Sequence, residues 1–388
     1  MPSSCHAETA SSSSSTLLET EMNIEPRFEE RVKRLLSTYK LSLLRNRKPE
    51  ESDEEELKKF HLQLRSLISE EHNSRRRRSL LVLLSTSNCF REQLLFLRKC
   101  QNSSGVLSAS SYFSVLHSEL TYVMKQSFEE DYRRLADFLG FPETIAELLV
   151  CDVNTFGFQC SHEVTAVRKL IANALTNLTY GDLQRKRRLC GYPNFIDCVV
   201  QVVDEMQVLA QVYAALLRNL SWNADSEMNT HLCSTVPVLA QASLRAYEMK
   251  DLKCLCAILS ALWNLSFSDQ NQRAICEYPH FLEMIVDLLV EDPQQTALVE
   301  SATGVLKYAS LSFAIVDITK HVPLSVLQKM LLRLVDLLRS SSFTIVTNCL
   351  FVLVQLLKND FQMRAQIRFN MKAMQILHRL RDSKHRDV

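Results

Sequence analysis

The sequence predicts an all-α protein built as a solenoid of helical repeats, and three observations lead to this fold class. The chain has 388 residues but only 6 Gly and 9 Pro, fewer than the turns of a large β or α/β protein need. Leucine-rich runs such as Leu80-Leu81-Val82-Leu83-Leu84 favour helix. Beyond about residue 80, similar segments recur with a period of 42 to 47 residues.

The clearest repeat is an Asn followed by Leu and a hydroxyl residue. It occurs in Ala174-Leu-Thr-Asn177-Leu-Thr-Tyr180, Leu216-Leu-Arg-Asn219-Leu-Ser-Trp222 and Ala261-Leu-Trp-Asn264-Leu-Ser-Phe267. These asparagines are 42 and then 45 residues apart. The same register reaches Tyr308 and Gln355 towards the C-terminus, and Lys125, 52 residues before Asn177, towards the N-terminus. We therefore expect one such position in each repeat.

A second register, of cysteine and proline, agrees with the first. Cys190-Gly-Tyr-Pro193, Cys233-Ser-Thr-Val-Pro237 and Cys276-Glu-Tyr-Pro279 have cysteines 43 residues apart both times. Because proline is favoured in the first turn of a helix, each repeat is interpreted as a short helix, a proline-started second helix and a longer third helix that carries the Asn near its end. Three helices in 42 to 47 residues are typical of armadillo repeats, which stack into a right-handed superhelix with an extended concave surface.

The chain is predicted to have three parts. Residues 1–25 are Ser-rich and expected to be disordered, 26–78 form a helical N-terminal extension, and 79–388 form the armadillo domain, whose last repeat is truncated. The longer step before Asn177 predicts an inserted loop within Cys151 to Glu163. The sequence leaves open whether the extension packs on the repeats or self-associates.

Composition and charge argue against several classes of protein. The net charge of +1 does not suit a dedicated nucleic-acid binder. No stretch of about 18 uncharged apolar residues is present, and Met1 to Thr16 lacks the apolar core of a secretory signal. The 12 cysteines include no Cys-x-x-Cys pair, so buried reduced thiols are favoured over a zinc or redox site. We expect a cytoplasmic protein without a metal or other cofactor.

The basic run Ser74-Arg75-Arg76-Arg77-Arg78-Ser79 has two interpretations. It is either a nuclear-import or anionic-partner patch, or the solvated start of a helix. The helix start is favoured, because runs of charge most often face solvent.

Asn side chains at one position per repeat are predicted to line the concave surface. An Asn amide offers both a donor and an acceptor, so it can pair with the N–H and C=O groups of an extended peptide. The candidates are Asn177, Asn219 and Asn264. Capping of a helix end, and glycosylation of a secreted protein, are the alternative interpretations of these residues.

Tryptophan and cationic side chains complete the predicted peptide-binding surface. Trp222 and Trp263, the only two tryptophans, would supply rigid apolar walls, with core packing as the alternative for each. The cationic candidates are Arg218 and Lys186, with Arg168 and Lys125 as weaker ones. Since Arg can bind a carboxylate through two parallel hydrogen bonds, we expect an extended partner segment that carries acidic residues.

The three Asn-containing segments, with Thr144-Ile-Ala-Glu-Leu-Leu149 and Ser342-Phe-Thr-Ile-Val-Thr-Asn348, resemble the armadillo domain of the adenomatous polyposis coli tumour-suppressor family. The resemblance covers roughly residues 120 to 388 and is weaker from about residue 75. It departs at Lys307-Tyr308 and Val354-Gln355, where the family usually has Arg-Asn and Trp-Asn. A divergent invertebrate relative is therefore predicted, whose C-terminal repeats bind differently or not at all.

The resemblance implies a non-enzymatic scaffold that restrains β-catenin signalling in the Wnt pathway and acts in cell adhesion, migration, polarity and the cytoskeleton. It implies as partners the peptide segments of guanine-nucleotide exchange factors and adaptor proteins, and the β-catenin–axin complex. Pools at cell junctions, on the cytoskeleton and in the nucleus are implied beside the cytoplasmic one. The positions that match the family's peptide-binding groove are Asn177, Lys186, Arg218, Asn219, Trp222, Trp263 and Asn264.

An importin-α-like nuclear-transport adaptor is the nearest alternative, and an enzyme is the second. Adaptors of the importin-α type use Trp-x-x-x-Asn to bind a basic signal, but Trp222 is followed four residues on by Ser226, and Trp263 by Phe267. The six glycines form no phosphate-binding loop, and no His-Glu-x-x-His motif occurs. We expect neither catalysis nor a small-molecule substrate, and neither nucleic-acid binding nor membrane insertion.

Overall fold

The structure is a computed structural model that describes residues 25–43, 51–102 and 109–381, and every regular element in these ranges is helical. By their internal contacts the residues divide into two compact units, Met1–Tyr180 and Gly181–Val388. The predicted all-α class is therefore confirmed. The predicted disorder of residues 1–25 falls almost wholly outside the described residues.

The first unit contains seven helices within its described residues. They are α1 (Pro26–Leu43), α2 (Glu51–Ser69), α3 (Ser74–Asn102), α4 (Ala109–Gln126), α5 (Glu130–Phe138), α6 (Phe141–Phe156) and α7 (His162–Leu178). Helix α3 packs against α6, and α4 packs in the same way against α7. The short α5 contacts α6, so that α5, α6 and α7 form one repeat of three helices.

The N-terminal extension packs on the repeats of this unit. Helix α2 lies against α3, and α1 lies against α2. Phe28 on α1 is buried, and its ring centroid lies 5.7 Å from that of Phe138 on α5. Arg31 Nη1 donates to Glu70 Oε2 at 2.6 Å. The predicted boundary between residues 78 and 79 falls inside α3, so the extension ends before Ser74.

The second unit contains fourteen α-helices within its described residues. They are α8 (Leu183–Cys190), α9 (Phe195–Glu205), α10 (Gln207–Ser221), α11 (Ser226–Leu232), α12 (Thr235–Glu248), α13 (Leu252–Leu265), α14 (Asp269–Glu277), α15 (Phe281–Leu288), α16 (Thr296–Ala309), α17 (Phe313–Val316), α18 (Leu324–Leu337), α19 (Phe343–Asn359), α20 (Phe361–Phe369) and α21 (Met371–Arg381). Short 3-10 turns precede α16 and flank α17.

The helices of the second unit form two packed rows. The third helices of the repeats, α10, α13, α16 and α19, each pack against the next. The second helices, α9, α12, α15 and α18, form a row behind them, and each packs on the third helix of its own repeat. Leu, Ile, Val and Ala side chains between the rows are buried. Because this core is shared by neighbours, no repeat could bury its apolar side chains alone.

Aspartate side chains fix where several helices of this unit begin. Asp182, Asp225 and Asp251 each accept a hydrogen bond from the backbone N–H three residues on, at 2.9, 2.9 and 3.0 Å. These bonds satisfy first-turn donors that have no partner within α8, α11 or α13. The start of each helix is therefore set by the local sequence as well as by packing.

The prolines of the second register play two different roles. Pro237 lies in the first turn of α12, as predicted. Pro193 and Pro279 instead lie in turns, because the residues after them, Asn194 and His280, adopt left-handed conformations with φ of 59° and 62°. The second helix then starts at the following Phe, so the prediction of a proline-started helix was wrong at these two positions.

The predicted insertion before Asn177 is shorter than expected. Helix α6 continues to Phe156, and α7 begins at His162, where Ser161 Oγ accepts from the Val164 N–H at 3.3 Å. The segment from Cys151 onwards is thus largely helical, and the break between the helices is confined to 157–161.

Among the described helices, α3 is the one long and apolar enough, by length and composition, to cross a membrane. The stretch runs over Ser74–Gln101, and 56% of its apolar window is buried by other parts of the chain. Within the first unit it packs against α2, α4, α5 and α6, as a core helix does.

Candidate functional site

The repeated sequence positions lie near the C-terminal ends of the third helices. In the second unit they are Asn219 on α10, Asn264 on α13, Tyr308 on α16 and Gln355 on α19. Since these four helices pack in a row, the four positions lie on adjacent helices. We call the surface formed by residues 215–222, 260–267, 304–311 and 351–358 the third-helix face.

Asn264 caps the neighbouring third helix. Its Nδ2 donates to the backbone carbonyl of Arg218 at 2.9 Å. This carbonyl lies in the last turn of α10, where backbone oxygens lack an N–H partner from the helix, and it also accepts from Ser221 Oγ at 3.2 Å. An amide carries two N–H donors and an acceptor oxygen, so the cap does not exclude a further bond to a peptide.

Asn177 makes the same kind of bond in the first unit. Its Nδ2 donates to Ser127 Oγ at 3.1 Å and to the Met124 carbonyl at 3.4 Å, at the end of α4. Asn177 and Asn264 thus each tie their own helix to the end of a neighbouring helix in the same unit. The sequence left three interpretations of the repeated asparagines: peptide binding, helix capping and glycosylation. These two side chains do cap a helix end, although it is the end of the neighbouring helix and not of their own.

Trp222 is the exposed tryptophan of the third-helix face, with 59% of its surface open to solvent. The backbone leaves α10 at this residue, and its carbonyl accepts from Lys186 Nζ at 3.2 Å. Lys186 is buried, and burial lowers the pKa of its amine. Lys186 thus holds the Trp222 backbone in place rather than presenting its charge. Arg218, one turn earlier, is the cation that is exposed.

Trp263 is half-buried because its indole ring lies on the backbone of Gly304 in the next third helix. A Cβ atom at position 304 would overlap the ring carbons. Glycine is therefore required here for close approach rather than for a special backbone conformation. Packing between helices, one of the two interpretations of Trp263, is thus present, and its role as a wall for a bound peptide stays a prediction.

Aromatic and cationic side chains cover the part of the face carried by α13, α16 and α19. Phe267 is 58% exposed, and its ring centroid lies 4.2 Å from that of Tyr308. Lys307 Nζ lies 5.4 Å from the ring centroid of Tyr308 and 5.5 Å from that of Phe351, within cation–π distance. We call Phe267, Lys307, Tyr308 and Phe351 the aromatic cluster.

The two weaker cationic candidates lie in the first unit and differ in environment. Lys125 is exposed near the end of α4. Arg168 is fully buried, and its Nε donates to Asp152 Oδ1 at 2.7 Å. The other oxygen of that carboxylate accepts from the Tyr112 hydroxyl at 2.9 Å. Because a guanidinium buried in this way cannot reach a partner's carboxylate, the structure removes Arg168 from the candidate binding residues.

Sequence reasoning did not single out Phe267, Tyr308 or Gly304 as site residues. The signal for Phe267 was available, because it lies three residues after the repeated position, as Tyr180 and Trp222 do, and all three are exposed. Tyr308 stands out in the sequence only as a departure from the resembled family. The contact of Gly304 with an indole ring follows from the packing of two helices and has no sequence signal.

The described cysteines are free thiols, and six of them are buried. Burial raises the pKa of Cys190 and of Cys349 to about 12. Such thiols behave as small apolar side chains of the core. Within the described ranges, no group of three or more His, Cys, Asp or Glu is arranged to hold a metal ion.

Repeats of three helices whose third helices pack side by side, with a row of second helices behind them, define an armadillo-repeat protein. The sequence is 41% identical over 372 residues to "APC-related protein 1" of Caenorhabditis briggsae, and 42% identical over 358 residues to "Adenomatous polyposis coli protein-related protein 1" of Caenorhabditis elegans. It is 34% identical over 272 residues to "Adenomatous polyposis coli protein 2" of Homo sapiens. No protein-family model matches the chain.

These matches cover 95%, 91% and 69% of this chain, and 31%, 29% and 12% of the respective relatives. Over the matched region the chain is similar to these adenomatous polyposis coli-related proteins. It spans about a third of the length of the two nematode relatives.

A solved structure with a TM-score above 0.5 supports this fold. An engineered protein matches with a TM-score of 0.55 at 14% identity, covering 97% of this chain and 93% of that one. A designed armadillo repeat protein matches with a TM-score of 0.49 at 14% identity, over 69% of this chain and 99% of that one.

Proposed function

We propose that the Gly181–Val388 unit is a protein-binding scaffold whose third-helix face holds an extended, partly acidic segment of a partner protein. The observation that carries the proposal is the exposed indole of Trp222, whose backbone is held by the buried Lys186. Covering a rigid, exposed tryptophan removes a large apolar area from water at little cost in conformational entropy. Binding hot spots commonly have these features.

Charge supports an acidic partner. Arg218 is exposed one turn before Trp222, and a guanidinium can bind a carboxylate through two parallel hydrogen bonds. Lys307 adds a second positive charge on the same face. Both cations would repel the basic signal that an importin-α-like adaptor binds. In the first unit, the exposed Lys125 and the half-buried Asn177 remain predicted contacts.

A second part of the proposal concerns the cellular pathway in which the scaffold acts. Relationship to the adenomatous polyposis coli-related proteins supports a role in restraining β-catenin signalling in the Wnt pathway, and in adhesion, migration, polarity and the cytoskeleton. The proposed partners are segments of guanine-nucleotide exchange factors, adaptor proteins and the β-catenin–axin complex. The proposed location is the cytoplasm, with pools at cell junctions, on the cytoskeleton and in the nucleus. The proposed role is binding, and it involves no catalytic step.

The proposal is tested by fluorescence anisotropy with a labelled Glu-rich peptide and a Lys-rich peptide of equal length. About ten residues suffice to cross four third helices, since packed helices are about 8–10 Å apart and an extended chain advances about 3.3 Å per residue. We expect the Glu-rich peptide to bind, and more weakly as salt is added. Arg218→Ala or Trp222→Ala should weaken binding about tenfold or more.

Two substitutions outside the face serve as controls. Arg273→Ala removes an exposed arginine from α14, and Met249→Ala removes an exposed apolar side chain at the end of α12. Both should leave the affinity unchanged. Equal losses at the control positions would contradict a site on the third-helix face. Tighter binding of the Lys-rich peptide would contradict an acidic partner and support the nuclear-transport alternative.

A further inference from the structure

The aromatic cluster begins where the repeated asparagines end. Asn264 caps the carbonyl end of the preceding third helix, whereas Tyr308, at the same position of the next repeat, packs its ring at a tilt against Phe267. The hydrogen bond from an Asn side chain to the preceding third helix is thus replaced by a contact between two aromatic rings. The third-helix face consequently differs along its length. Towards α10 and α13 it carries Asn amides and the Arg218 guanidinium beside the two tryptophans, and towards α16 and α19 it carries the aromatic cluster with the Lys307 amine.

Phe267 stays exposed although a neighbouring ring packs against it. Its ring and that of Tyr308 are 4.2 Å apart at an interplanar angle of 34°, with 58% of Phe267 open to solvent. The stack fixes the orientation of the exposed ring before any ligand arrives. A preformed apolar surface of this kind favours binding, because less conformational freedom is lost when it is covered.

Lys307 gives the cluster its charge. The amine lies over Tyr308 on its own helix and over Phe351 on the next, so two rings hold it by cation–π attraction. This arrangement places a positive charge at the edge of an apolar surface. A ligand that offers an apolar side chain and a neighbouring carboxylate would match both features.

We infer that the aromatic cluster is a specificity subsite, which takes a large apolar or aromatic side chain of the bound partner beside an acidic residue that pairs with Lys307. The inference rests on the proposed function, because the subsite lies on the same third-helix face. It adds that partner choice depends on α13, α16 and α19 as well as on the charge of Arg218. The C-terminal repeats are accordingly expected to bind the partner segment. They would prefer aromatic side chains of that segment, a preference that the repeats carrying Asn do not have.

The test compares two labelled peptides of about ten residues with the same glutamates, one with Phe and Leu between them and the other with Ser. Fluorescence anisotropy with the full chain should show about tenfold tighter binding of the Phe- and Leu-containing peptide. Phe267→Ala and Tyr308→Asn should each abolish most of this preference. Tyr308→Phe keeps the stacked ring and should retain it.

Phe361→Ala is the matched control. Phe361 is an exposed phenylalanine on α20 with the Arg364 guanidinium 5.9 Å from its ring centroid, but it lies outside the third-helix face. The control should leave the preference intact. If wild type binds both peptides equally and Arg218→Ala weakens both, the inference is overturned while the proposed function stands. If neither peptide binds, the inference and the proposed function are both overturned.

Discussion

The indole ring of Trp263 on α13 lies directly on the backbone of Gly304 on α16, so that the ring alone fills the space between two successive third helices at this point. The contact fixes one wall of the third-helix face and the spacing of α13 and α16 at the same time. Any side chain at position 304 would have to displace the ring. Stability and the shape of the face are therefore linked at this point.

Gly304→Ala is expected to lower the free energy of unfolding by about 1–3 kcal/mol, because overpacking forces the ring and the helices apart. The measurement is urea unfolding followed by tryptophan fluorescence in a Trp222→Phe background, where Trp263 is the reporter. Gly191→Ala is the control, since a Cβ atom there would meet its nearest neighbours at 3.5 and 3.7 Å, an ordinary contact. Equal losses at 304 and 191 would contradict the close approach.

Asn264→Ala is expected to cost about 1 kcal/mol of stability, because the Arg218 carbonyl loses the amide donor at 2.9 Å and keeps Ser221 Oγ, at 3.2 Å, as its other side-chain donor. Asn264→Asp should cost at least as much, since a carboxylate of the same shape repels that carbonyl. The midpoint of urea unfolding reports both effects. Gln211→Ala, an exposed amide on α10, is the control. Full stability of Asn264→Asp would argue against the capping role.

Arg168→Ala is expected to destabilise the first unit by about 3–5 kcal/mol, because it leaves the carboxylate of Asp152 buried without its guanidinium. The double substitution Arg168→Met with Asp152→Leu removes both charges and should recover much of the loss. Thermal unfolding followed by circular dichroism measures both variants. A stable Arg168→Ala protein that has lost peptide binding would instead favour a role at the binding surface.

Stability of the first unit should fall in mild acid because of His61. Burial, and secondarily the charge of Arg91, lowers the pKa of His61 from 6.5 to about 4. A histidine that must stay neutral contributes its full stability above pH 6.5, and that contribution is lost as the pH falls towards about 4. His61→Phe should make the urea midpoint of unfolding less dependent on pH over this range. His162→Gln, an exposed histidine of the same unit, should not. If the urea midpoint of His61→Phe depends on pH as steeply as that of the wild type, the loss of stability in acid is not due to His61.

Much of the fold follows from the sequence because the repeats carry a local signal. The register of Asn219 and Asn264 marks the C-terminal ends of third helices, and the structure confirms both positions. Element boundaries were less predictable. Helix α6 runs through part of the expected insertion because Cys151 and Val153 are buried in the core, which favours continued helix over a loop.

The candidate site is less accessible to sequence reasoning because its contacts join distant residues. The sequence offers Arg168 only as a weaker cationic candidate, and folding alone brings Asp152 and Tyr112, from two other helices, to its buried position. The capping bond of Asn264 likewise requires the end of a different helix. A repeat pattern indicates which side chains share a position, but their partners depend on how the repeats stack.

A partner segment is proposed to lie along the third-helix face beside Trp222. Replacing Trp222 with the photo-crosslinking residue p-benzoyl-phenylalanine and irradiating the chain with the Glu-rich peptide tests it most directly. The same replacement at Met249, which is 66% exposed at the end of α12, is the control. We expect a covalent peptide adduct at position 222, identified by mass spectrometry and suppressed by excess unlabelled peptide, and none at 249. An adduct at 249 without one at 222 would contradict the proposal.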